Sequence, residues 1–199
     1  LSGPMLSRSA FNEALPQLLA RLSGRLSWPM RLATVGAESD TPVMELQTSF
    51  LVAGPAADAS DSAPVLVQVR LHIGFSSAYA CPVLHFCLSQ PDGVPLAASD
   101  AADFVRVNVE SSTGEAAGQL DLASVLSQVP HPQLGCPMYT LHPCRTAELI
   151  GRLTSASEAD RDGSGEVRDT NAAALAVLSW LTVYGRAVGL QVPQSASCS

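Results

Sequence analysis

From Val65 to Phe75 the side chains alternate without a break. Val65, Val67, Val69, Leu71 and Ile73 fall on one side of an extended chain, and Gln68, Arg70 and His72 on the other. A period of two over this length specifies a half-buried strand and excludes a helix. Residues 43–52 repeat the pattern, with Met44, Leu46, Phe50 and Val52 opposed to Glu45, Gln47 and Ser49. The small polar stretch between them, AGPAADASDSAP at 53–64, reads as a loop, so the two strands are expected to pair antiparallel. Residues 76–88, SSAYACPVLHFCL, turn and enter a third strand at Pro82, a first position where proline is tolerated. Its 83–88 core is apolar on both faces, which suits a covered, central strand.

Helical spacing appears at the two ends of the chain. Phe11, Leu15, Leu18, Leu19 and Leu22 form an apolar stripe, with Pro16 as a kink or as the first residue of a shorter helix and Gly24 as the stop. Val177, Trp180, Leu181 and Tyr184 mark a second helix over 171–184, with Gly185 just past it. Residues 28–36 read as a connector or short edge strand, and Pro91-Asp92-Gly93 as a turn. Residues 104–110 alternate like a strand, though their length also permits a helix. A surface loop is expected over 111–118, a short helix over 120–129, another over 146–153 with Thr146 as its cap, and a flexible polar link over 154–169. The expected fold class is α+β, an antiparallel sheet flanked by helices, in one domain over 1–199.

Composition narrows the function. Hydrophobic residues make up 47% and charged ones 15%, which argues against disorder and against a solvated coiled coil. A net charge of −7 offers no basic surface for nucleic acid or anionic membrane and favours basic protein partners. The longest apolar run, 172–185, is too short to span a bilayer, so a soluble, cytoplasmic chain without a transmembrane segment is expected. Because the chain opens on Leu1, residues 1–4 are expected to be an added remnant and are set aside. All eleven basic residues are arginine. Lacking lysine, a chain that carries a reactive acyl group would have no side-chain amine of its own to capture it, although the Ala, Gly and Pro content also fits simple codon bias. Five cysteines, Cys81, Cys87, Cys136, Cys144 and Cys198, follow no disulfide framework and are expected as free thiols.

Two His-Pro pairs and two cysteines crowd into residues 127–146, SQVPHPQLGCPMYTLHPCRT, which then enters a helical pattern. Cys144 is the leading nucleophile there. Arg145, His142 and the start of the following helix are all features that favour a thiolate. Cys136 is a rival, but Pro137 directly after it suits a turn better. His131, Cys136, His142 and Cys144 could together bind zinc, yet they lack a C-x-x-C knuckle. A cysteine protease would need His72 or His85 to serve Cys144, and both sit in strand patterns. No phosphate loop, dinucleotide fingerprint or paired-carboxylate motif is present. No cofactor or metal is expected.

Three blocks taken together, SSAYACPVLHF at 76–86, SQVPHPQLGCPMYTLHPCRTAEL at 127–149 and SWLTVYGRAVGLQVP at 179–193, resemble the autophagy ubiquitin-like-conjugating enzymes, the family of autophagy-related protein ten and its sister, autophagy-related protein three. The likeness implies a ubiquitin-conjugating-like fold. It also implies that Cys144 accepts autophagy-related protein twelve as a thioester from an activating enzyme, autophagy-related protein seven. The acyl group then passes to a lysine of autophagy-related protein five. In ubiquitin-conjugating enzymes the asparagine of His-Pro-Asn supports that transfer. Here it is missing, and the likeness implies that Tyr79 and His142 compensate. His85-Phe86 and Met138 depart from the family pattern at places where an aromatic is usual, and read as core substitutions. The alternative reading is an inactive member of the fold that only binds partners.

Overall fold

The computed structural model describes residues 6–34, 42–52, 65–112, 126–143, 146 and 170–193, with the backbone alone at 34, 50–52 and 110–112. Helix α1 (Arg8–Leu22) begins where the Ser7 hydroxyl caps the Ala10 N–H at 3.1 Å, and it runs through Pro16 as one helix. Just beyond its end Gly24 takes φ +74°, the left-handed conformation that closes a helix. The chain then lays down strands β1 (Met30–Thr34), β2 (Pro42–Val52), β3 (Val65–Ser76) and β4 (Cys81–Ser89). Helix α2 (Ala98–Ser112), strands β5 (Leu126–Pro130) and β6 (Pro137–Leu141), and helix α3 (Thr170–Tyr184) follow, and a 3-10 turn over Gly185–Val188 continues directly from α3.

The strands form one antiparallel sheet in the order β1-β2-β3-β4-β6-β5. Alternation decides its faces. Met44, Leu46, Val67, Val69, Leu71 and Ile73 are buried in one core with Phe11, Leu15, Leu18 and Leu22 of α1 and Val177, Trp180, Leu181 and Tyr184 of α3. Helices α1 and α3 pack together, and α2 lies against the 3-10 turn. The expected antiparallel sheet flanked by helices is therefore what forms, with β1 as the short edge strand. Strand β4 is covered on both faces as its composition requires. Among the described residues no helix is long and apolar enough to cross a membrane.

Residues 104–110, which allow either strand or helix, form a helix, because Ala101, Phe104 and Val105 bury at helical spacing while Val107 stays 47% exposed. Two expectations need correction. Residues 111 and 112 end that helix rather than opening a loop. Where a helix was expected over 120–129, the described part is strand β5, since β6 offers it a partner from Leu126↔Leu141 to Pro130↔Pro137. The expected loop at 53–64, the link at 154–169 and most of the helix at 146–153 lie outside the described residues. Helix and strand assign different costs within α2. Val105→Ala should destabilise the fold by about 2 kcal/mol, and Val107→Ala by no more than about 0.5 kcal/mol. Urea denaturation of both variants checks this, because a strand would penalise the two equally.

Candidate active site

The antiparallel register of β4 against β6 decides what meets at the site. His85 pairs with Thr140 and Phe86 with Tyr139, so moving back along β4 means moving forward along β6. The turn before β4 and the exit of β6 therefore end side by side. Tyr79 lies in that turn and His142 directly follows β6. Their side chains touch. Tyr79 Oη is 3.4 Å from His142 Nε2, and the rings meet edge to face at 5.6 Å. Sixty-three positions separate them in the chain. Tyr79 is 43% exposed and His142 is exposed as well, so the pair opens onto the surface, where a macromolecular partner can reach it. The 3.4 Å separation is long for a hydrogen bond, and such contacts commonly tighten when substrate loads. Cys144, two residues beyond His142, lies outside the described residues, as does Arg145.

The other half of the motif turns inward. Residues 131–136 form a tight loop in which the His131 N–H donates to the Cys136 carbonyl and the Gly135 N–H to the His131 carbonyl, each at 2.8 Å. Gly135 takes φ +68°, a conformation that favours glycine. This loop drives His131 under the sheet face opposite the helices, where it is 1% exposed against His72 and His85, with ring centroids 5.1 and 4.9 Å away. Backbone N–H groups of Gln133 and Leu134 donate to His131 Nδ1 at 3.3 and 3.2 Å. The His131 proton therefore sits on Nε2, which donates to His72 Nδ1 at 3.2 Å. His72 in turn directs Nε2 toward Glu45 Oε1 at 4.0 Å, and that carboxylate holds Arg31 at 2.6 Å. Burial pushes His131 and His85 down to about 4 and lowers His72 too, and the neighbouring histidines add to the effect at His85 and His131.

The cysteines separate along the same lines. Burial raises Cys81 to about 12 and also raises Cys87, so neither is a thiolate at neutral pH. Cys136 is exposed, and its carbonyl closes the His131 loop. Among the described residues no group of three His, Cys, Asp or Glu side chains is arranged to hold a metal ion. His72 and His85, the distant histidines a protease reading would need, are committed to the buried cluster.

A family model described as "Autophagocytosis associated protein, active-site domain" matches residues 10–195. The chain belongs to that family. Curated relatives include "Ubiquitin-like-conjugating enzyme ATG10" of Homo sapiens, 30% identical over 134 residues, which is 67% of this chain and 54% of the relative. The protein of the same description from Arabidopsis thaliana is 33% identical over 125 residues, 61% of this chain and 49% of the relative. This chain thus spans about half the length of the curated relatives it matches. A solved structure, "Crystal structure of Autophagic E2, Atg10", aligns at a TM-score of 0.49 and 15% identity, covering 94% of this chain and 99% of that one.

Of the residues expected at the site, the fold brings Tyr79 and His142 together. Sequence reasoning missed the histidine cluster, because the alternation of β3 assigns His72 to a polar face. The available signal was a His-Pro turn that precedes a glycine, together with two histidines on neighbouring strands.

The cluster makes stability depend on pH. Its histidines titrate lower in the folded protein than in the unfolded chain, near 6.5. Their contribution is complete above that value and is lost as pH falls toward 4, because the unfolded state binds the protons first. Each contributes up to about 1.4 kcal/mol per pH unit. The unfolding free energy should therefore fall by roughly 2 kcal/mol per pH unit near pH 5.5, from His85 and His131 together. His131→Asn should roughly halve that slope. Urea titrations at several pH values measure both.

Proposed function

We propose that this chain is the catalytic unit of a cytoplasmic conjugating enzyme for a ubiquitin-like protein, with Cys144 as the residue that carries the acyl group. The Tyr79–His142 contact carries this reading. Two side chains with proton-transfer chemistry meet beside the segment that leads into Cys144, in a family described as an active-site domain. Curated relatives named as ubiquitin-like-conjugating enzymes support the reaction class.

The chemistry has two transfers. In the first, the Cys144 thiolate attacks the C-terminal glycine carbonyl of the modifier, autophagy-related protein twelve, held as a thioester on the activating enzyme, autophagy-related protein seven. The activating enzyme's thiolate leaves, and a new thioester forms on Cys144. In the second, a lysine amine of autophagy-related protein five attacks that thioester. A tetrahedral oxyanion forms, the nitrogen loses a proton and the Cys144 thiolate departs, leaving an isopeptide bond.

The second step needs a hydrogen-bond donor for the oxyanion and a group that receives the amine's proton. The Tyr79 hydroxyl suits the first role and the His142 imidazole the second. Their mutual contact would orient both. A chain without lysine also offers no side-chain amine that would divert the acyl group onto itself.

Incubation with activating enzyme, ATP and the modifier should give an adduct sensitive to reductant, and its absence would refute the proposal. Cys144→Ser should give a reductant-resistant ester or no adduct, whereas Cys136→Ser should still load. Tyr79→Phe and His142→Ala should load normally and then discharge to the acceptor lysine about ten- to a hundredfold more slowly. Equal discharge rates would remove both residues from the site.

A further inference from the structure

The turn that presents Tyr79 does little to hold itself. Ser77, Ala78 and Tyr79 are exposed. Ala80 adopts φ +48°, a left-handed conformation that a residue with a Cβ keeps only where its surroundings impose it. An outside restraint comes from the first residue of α1. The Arg8 guanidinium donates to Ser77 Oγ, two residues before Tyr79, and its Cζ lies over the Phe75 ring, 5.9 Å from the centroid. The Phe75 ring in turn sits 5.5 Å from the ring of Phe11, one turn along the same helix. The clamp thus grips the turn and the end of β3 together.

Helix α1 itself gains nothing from a cation at this position, since the first turn of a helix favours negative charge, and its first turn carries no acidic residue. The Ser77 hydroxyl that Arg8 holds lies on a turn 69 positions away. We propose that Arg8 is a positioning residue for Tyr79. It locks the turn onto α1 so that the phenol stays against His142. The inference rests on the catalytic reading of Tyr79 given above, and it brings the amino-terminal helix into the reaction.

Two measurements test it, one of which does not depend on conjugation. The chain has three tyrosines, and Tyr139 and Tyr184 are buried. With fluorotyrosine incorporated throughout, the fluorine resonance missing from Tyr79→Phe identifies residue 79. Arg8→Ala and Ser77→Ala should each shift or broaden that resonance and leave the other two in place. A Tyr79 resonance unmoved by both variants would overturn the proposal.

The second measurement follows discharge to the acceptor lysine from thioester already formed. Arg8→Ala should slow it roughly five- to tenfold, less than the hundredfold that misplacing a reacting group can cost. Arg8→Lys should recover at least half of the rate. Combining Arg8→Ala with Tyr79→Phe should be no slower than Tyr79→Phe alone. A moved resonance with unchanged discharge would reduce the clamp to a structural contact and overturn its role in the reaction. If wild-type protein forms no thioester, the catalytic reading falls, and the fluorine spectra alone decide whether Arg8 positions the turn.

Discussion

Strands β4 and β6 meet over two residue pairs, His85↔Thr140 and Phe86↔Tyr139, and the site hangs on that junction. The Thr140 hydroxyl strengthens it by donating to the Leu84 carbonyl at 2.9 Å, from a position buried on both sides. Thr140, Leu141 and His142 take their places from this pairing. A slip of one residue would turn each β6 side chain to the opposite face and carry His142 away from Tyr79. The His131 loop acts on the same junction from the other direction. It closes the β5–β6 hairpin and seats a neutral imidazole on the two neighbouring strands, so that the hairpin is fastened by its turn as well as by its ladder.

This arrangement gives the two halves of the His-Pro, Cys-rich segment separate tasks. HPQLGCP builds the loop, with His131 as a buried plug and Gly135 supplying the left-handed residue. In LHP, at the exit of β6, Leu141 and Pro143 are buried and His142 alone stands at the surface. Identical dipeptides thus serve opposite ends. One histidine fits inside without a charge, and the other stands exposed beside Tyr79.

Much of the sheet could be read directly from residue order. Strict alternation in 65–75 and the doubly apolar 83–88 run leave a half-buried and a central strand as the only comfortable solutions. At 104–110 alternation leaves strand and helix open, and the burial of Ala101, Phe104 and Val105 decides for the helix. The helix expected over 120–129 fails at 126–130, because that segment becomes a strand only when β6 arrives beside it. The meeting of Tyr79 with His142 could be expected only from family likeness, since nothing local encodes the β4–β6 register. His85 shows the converse. As a departure from the family pattern it reads as a core substitution, and burial bears that out, yet its neighbours are two further histidines rather than an apolar core.

The openness of the Tyr79–His142 pair has a consequence for selectivity between nucleophiles. On the proposed reading, a thioester beside two exposed polar side chains would face bulk solvent, so hydrolysis would compete with transfer for as long as no acceptor is docked. Neither Tyr79 nor His142 would exclude that water. The acceptor protein would then act as the missing wall of the site, and its arrival would both present the amine and dry the carbonyl it attacks. Reaction fidelity would then belong to the complex, with this chain supplying one half of a chamber that closes only around the right partner.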